Sequence, residues 1–151
     1  MKKSNKENMI KIIAGGKKSS GWVAAGVAEY ETRLMKPFDV KWEIFEEEKL
    51  AKLLTKWPFQ GSELVILADE RGENISSVEF AQKMERAMIE ARSIVIIIGG
   101  AYGVSETVRQ KADFVWSFSK LVFPHLLMRV MLTEQIYRAQ EIVRGRKYHH
   151  Q

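Results

Sequence analysis

The run Ile94-Val95-Ile96-Ile97-Ile98 contains no polar residue, and neither does Leu64-Val65-Ile66-Leu67-Ala68. Short apolar runs rich in β-branched residues fit strands covered on both faces, which is the position of central strands in a parallel sheet. Parallel neighbours need long crossovers, and the intervening segments carry helical periodicity. Val23, Val27, Tyr30 and Leu34 recur at helical spacing after a Ser19-Ser20 cap, in a helix closed by Pro37. Between the two apolar runs, Ser76 with Glu79 three residues on forms a capping box, and Val78, Phe80, Ala81, Met84 and Met88 supply a buried side. Further strands are expected at Met9 to Ala14, at Phe38 to Ile44 and at Phe114 to Phe118, with a short helix over Glu46 to Lys56. In the second of these, Phe38, Val40, Trp42 and Ile44 alternate with Asp39, Lys41 and Glu43, as in a half-exposed strand near an edge. Pro124, at a first helical turn, opens the longest helix, which runs to about Arg144 and stops at Gly145. The fold class expected is α/β, a mostly parallel five-stranded sheet with helices on both faces, in one domain over residues 1–151.

Composition narrows the partners. No apolar run approaches the roughly 20 residues of a spanning helix, and the polar start MKKSNKEN does not resemble a signal peptide, so a soluble cytoplasmic protein without a membrane partner is expected. There is no cysteine and only three histidines, which excludes disulfides and cysteine-based zinc sites and leads us to expect no metal. The net charge of +5 suits a polyanionic partner if the cations cluster. Lys2, Lys3, Lys6, Lys11, Lys17 and Lys18 do gather around the first strand, and Arg138, Arg144, Arg146 and Lys147 near the end of the chain. Solubility explains such termini equally well, so charge alone does not decide.

Leu126, Leu127, Met128, Val130, Met131 and Leu132 make the last helix apolar almost all the way round, so it must be covered on every side. One sheet face covers part of it, and a second subunit is the natural source of the rest; burial by its own neighbours is the alternative. Ligands of such sheets bind beyond the carboxyl ends of the strands. The loops there are Ala68 to Gly72, Gly99 to Gly103, and the apolar segment from Ser117 to Pro124. Neither the dinucleotide fingerprint nor a phosphate-binding Gly-Lys-Ser/Thr loop is present. An apolar loop needs something to fold over, and a flat aromatic such as adenine would serve.

The words "IIIGGAYGV", "WSFSKLVFPHLLMRV", "EQIYRA" and "YHH" occur in order from about Ile94 to His150, with looser agreement in "KIIAGGK", "AEYETRL" and "LADERGE". In these words the chain closely resembles the bacterial ribosomal RNA large-subunit methyltransferase H family, a branch of the SPOUT methyltransferases. The resemblance implies a C-terminal trefoil knot, which no periodicity reveals. It implies S-adenosylmethionine as methyl donor, N3 of a large-subunit ribosomal RNA pseudouridine as acceptor, the assembled ribosome as substrate, and a homodimer. Carried over by position, the cofactor contacts fall on Ala68, Gly99, Phe118, Ser119, Lys120, Leu121, Val122 and Phe123.

Pseudouridine N3 must lose a proton, and His125, Arg129, Tyr148 and His149 are the candidates to accept it or to stabilise the anion. Their plainer roles are a helix-start cap for His125, an interface ion pair for Arg129 and a loose chain end for the other two. The segment between the second and third strands is shorter than the family's usual one, and His150 stands in place of a final Arg or Lys. Two other functions remain compatible with the chain: a SPOUT enzyme acting on transfer RNA, and a ribosome-binding protein without transferase activity. The intact glycines and the Ser117 to Pro124 segment favour an enzyme.

Overall fold

Ile94–Ile98 lies between two other strands, and helices cover both faces of the sheet there, which is why the run carries no polar side chain. In the computed structural model, which describes residues 10–150, ten elements follow one another. They are β1 (Ile10–Gly15), α1 (Gly21–Glu31), β2 (Val40–Phe45), α2 (Glu47–Lys56), β3 (Leu64–Asn74), α3 (Ser77–Ile89), β4 (Ile94–Ile98), α4 (Glu106–Lys111), β5 (Phe114–Ser117) and α5 (His125–Val143). The sheet order is β2-β1-β4-β3-β5, with every pairing parallel. The expected strand start at Met9, and Lys2, Lys3 and Lys6, lie outside the described residues.

Alternation along the strands sorts their side chains onto two faces. Ile12, Ile66 and Ile96 face one way and pack under Phe80 and Met84 of α3 and Leu132 and Ile136 of α5. Ile13, Leu67 and Ile97 face the other way, beneath Leu50 and Leu54 of α2 and Val108 of α4. Helix α1 lies against α5. The alternating strand is indeed an edge: β2 turns Val40, Trp42 and Ile44 to the α3–α5 face.

Several boundaries differ from those expected. Helix α1 ends at Glu31, where the Thr32 hydroxyl donates to the Ala28 carbonyl, and Leu34 reaches the core from the following loop. Phe38 is buried but precedes β2, in a turn closed by its amide on Met35 O. Strand β3 continues six residues past its apolar part, to Asn74. After an irregularity it pairs Glu73 with Trp116 and Asn74 with Ser117, held by backbone bonds that leave no hydrophobic pattern to read. Pro124 precedes the first helical residue of α5, as its N-cap, and its carbonyl accepts from the Met128 amide. Helix α4 was not anticipated. It is one short piece capped by Ser105, whose hydroxyl accepts from the Val108 amide, and Val108 is its single buried residue.

Helix α5 also fixes the two loops that flank α1. Near its end, Gln140 accepts from the Met35 amide at 2.8 Å and donates to the Arg33 carbonyl at 3.1 Å. Near its start, Arg129 does the same work for the loop between β1 and α1.

Candidate active site

The middle of β3, where its pairing shifts, the carboxyl end of β4 and the segment entering α5 surround a cavity of about 680 Å³. Ala68 to Arg71 form one wall, Ile98 and the turn Gly99 to Val104 a second, and Val122 to His125 with Met128 a third. The glycine turn is held tightly. Gly103 donates to the Gly100 carbonyl at 3.0 Å and adopts φ +71°, a left-handed conformation that favours glycine. Glu47 reaches across from α2 to accept from the Ala101 amide at 2.7 Å, and a Cβ on Gly100 would lie 2.4 Å from that carboxylate oxygen.

Asp69, only 6% exposed, sits at the floor of the β3 wall. Arg71 donates to its carboxylate from Nε at 2.9 Å and Nη2 at 2.7 Å, and the Arg71 amide adds a third bond at 2.9 Å. Burial pushes the Asp69 carboxyl up, but the bonds from Arg71 together outweigh it and hold the group below the ordinary carboxylate range. A depressed folded-state pKa contributes stability above the unfolded value and loses it as pH falls through the folded one. Arg71→Gln removes the stronger bonds and leaves burial, so the acid unfolding midpoint should move to higher pH, as circular dichroism would show. An unchanged midpoint would mean that Arg71 does not hold the carboxylate.

The residues singled out from sequence divide. Ala68, Gly99, Val122 and Phe123 line the cavity. Phe118 does not: its ring packs edge-on against Trp116, centroids 4.4 Å apart, and it lines a separate groove with Val130 and Met131. Ser119 turns inward on its own loop, its carbonyl accepting from Ser117 Oγ and its hydroxyl from the Leu121 amide. Lys120 and Leu121 are exposed. Asp69, Arg71 and Met128, not assigned to the site from sequence, belong to the cavity, and their only signal was adjacency to the apolar strands or to the last loop.

The proton-handling candidates also separate. His125 stands at the cavity rim, its Nε2 3.1 Å from where a Cβ on Gly16 would be. Arg129 is completely buried, donating to the carbonyls of Gly15 and Lys17 and to the Ser19 hydroxyl, none of them charged. Tyr148 and His149 lie further along α5. The Tyr148 hydroxyl donates to Glu134, the Arg138 guanidinium sits 4.9 Å from its ring centroid, and Arg138 contacts His149 Nδ1 at 3.0 Å. Burial, then Glu134, pushes the Tyr148 phenol up to about 12, so it is protonated at neutral pH. A single chain therefore does not bring the four together.

A family model described as predicted SPOUT methyltransferase matches residues 9–149. The chain belongs to the SPOUT methyltransferase family. Within that family it is similar to proteins named ribosomal RNA large subunit methyltransferase H. The one from Dictyoglomus thermophilum is 40% identical, over 93% of this chain and 99% of the relative. Those from Desulfitobacterium hafniense and Hydrogenovibrio crunogenus are 39% and 34% identical, each over 93% of this chain and 98% and 97% of theirs. The resemblance read from "WSFSKLVFPHLLMRV" thus extends over nearly the whole SPOUT sequence, front half included.

Solved structures agree on the fold. A probable methylase family protein from Haemophilus influenzae superposes with TM-score 0.53 at 14% identity, over 95% of this chain and 71% of its own. The SpoU methyltransferase AviRb from Streptomyces viridochromogenes, in complex with AdoMet, gives 0.50 at 12%, over 87% and 57%. Among the described residues of this SPOUT chain, no helix is long and apolar enough to cross a membrane.

Proposed function

We propose that this SPOUT methyltransferase moves a methyl group from S-adenosylmethionine to N3 of a pseudouridine in large-subunit ribosomal RNA. It acts on the assembled ribosome, in the cytoplasm, as a homodimer whose C-terminal segment is knotted. The observation that carries the proposal is the convergence of three strand-end loops on one cavity beside His125. The residues present fit the donor. Ile98, Val122, Phe123 and Met128 offer an apolar wall for adenine, the glycine turn offers close backbone approach, and Glu70 offers negative charge for a sulfonium, the Asp69 charge being taken up by Arg71.

When bound, the donor supplies an electrophilic methyl group. The chain's part is alignment and exclusion of water. Leu121 and Val122, 68% and 77% exposed, fold over the bound adenine, carried by the segment of Phe118, Ser119 and Lys120 that Phe118 anchors on Trp116. His125, at the rim, accepts the N3 proton on a ring nitrogen. Arg129 acts from behind the loop it holds, and Tyr148 acts as a hydrogen-bond donor within the tail that includes His149. The homodimer covers the half-buried side chains of Val130 and Met131 on α5, which border a groove with Tyr30, Ile75 and Phe118.

The test is methyl transfer from labelled S-adenosylmethionine to ribosomes lacking the modification, with free transfer RNA alongside and the product base identified by mass spectrometry. Label on N3 of a large-subunit pseudouridine is expected. Label confined to transfer RNA, or none despite cofactor binding, would overturn the proposal.

A further inference from the structure

A second cavity, of about 980 Å³, opens on the other side of His125. It shares only that residue with the first. One wall is the loop from Gly16 to Ser20 with Trp22 at the start of α1, and the opposite wall is Glu46 to Glu48. Nothing in the cofactor arrangement uses it. A transfer reaction needs its acceptor within contact of the donor, so a cavity joined to the first at its rim is placed to hold one.

Its chemistry is divided as a nucleotide's is. Helix α1 begins without a side-chain cap and without an acidic residue in its first turn, so the leading amides are free toward an anion. Lys17 and Lys18, both exposed, stand beside that helix start. The Trp22 indole is 64% exposed, a large aromatic face left in solvent at the mouth of the cavity. The exposed carboxylates of Glu46 and Glu48 on the far wall accept hydrogen bonds and repel phosphate, which leaves them the N–H edge of a base. The loop is rigid, because Arg129 holds the Gly15 and Lys17 carbonyls and the Ser19 hydroxyl at 3.1, 2.8 and 2.8 Å.

We infer that this second cavity receives the acceptor nucleotide, its phosphate at the start of α1 with Lys17 and Lys18 and its base against Trp22, next to His125. The inference rests on the proposed RNA methyltransferase activity and names the part of the molecule that grips the RNA.

The test uses the full chain and a short RNA hairpin carrying 4-thiouridine in its loop. Irradiation should attach the RNA to the tryptic peptide Ser19 to Arg33, which contains Trp22. Trp22→Ala should weaken hairpin binding roughly tenfold, as loss of one stacked base does, while Trp22→Phe restores most of it. Lys17→Ala/Lys18→Ala should reduce the slope of log affinity on log salt by about 1.5. S-adenosylmethionine affinity should stay unchanged in all three variants. Cross-links confined to other peptides, or Trp22→Ala binding RNA normally, would overturn the assignment. So would Trp22→Ala sedimenting as a monomer with full RNA affinity, which would give the indole to a second copy of the chain. Failure of methyl transfer with the cross-link retained would count against the methyltransferase proposal and leave this one standing.

Discussion

Arg129→Met should lower the stability of the protein by about 2–3 kcal/mol in urea unfolding and speed amide exchange in the loop from Gly15 to Ser20. The side chain is fully buried, and its hydrogen bonds go to two carbonyls and a hydroxyl. Burial without a carboxylate partner pushes the guanidinium's pKa down, a sign that the charge costs something where it is. Methionine relieves that cost and fills most of the volume. It also strands the buried Gly15 carbonyl, worth about 1–3 kcal/mol when left dry and unpaired, and releases the Lys17 carbonyl and the Ser19 hydroxyl, and the second effect should win. Equal stability with unchanged exchange would show that the loop is held by other means. Because Arg129 lies behind His125, the same variant should lose methyl transfer more through poor acceptor binding than through poor cofactor binding.

Gly99→Leu should abolish cofactor binding, weakening it by at least roughly 100-fold in calorimetry, while the sedimentation of the protein stays as it was. A Cβ at this position meets the backbone of Gly103 at 3.1–3.3 Å, and that backbone is tied by the Gly103 amide to Gly100 and by the Ala101 amide to Glu47. The turn has little freedom to retreat, so the added side chain must occupy the cavity that Gly99 lines. Retained affinity would put the cofactor elsewhere.

What could be read from sequence followed from local rules. The wholly apolar runs became β4 and the first half of β3, the alternating run became the edge strand β2, and Ser76 with Glu79 formed the capping box that starts α3. The three strand-end loops were identifiable because this class of sheet has one end that binds. What escaped depends on distant partners. The second half of β3 is polar and held by β5 alone, and α4 has a single buried residue, too few for a period. Phe118 looked like part of an apolar lid, yet in the structure it packs on Trp116. Arg129 reads from sequence as a cation for the anionic base or for an interface ion pair, and only partners more than 100 positions earlier in the chain show it buried against uncharged groups. Likewise the spacing that joins His125 to Arg129 by one helical turn sets Arg138, with Tyr148 and His149 on it, about 20 Å further along the same rod.

The strut between Arg129 and the first loop also sets an order in time. Gly15 and Lys17 are made early, and the residue that fixes them belongs to α5, the last element to be synthesised among those described. Contacts so far apart in the chain close late in folding, since the loop-closure entropy must be met before they form. Until α5 docks, the loop beside His125 lacks the three Arg129 bonds and the first cavity lacks its third wall. A half-made chain therefore has no site with which to seize cofactor or RNA, and competence arrives in one step, when the final helix seats.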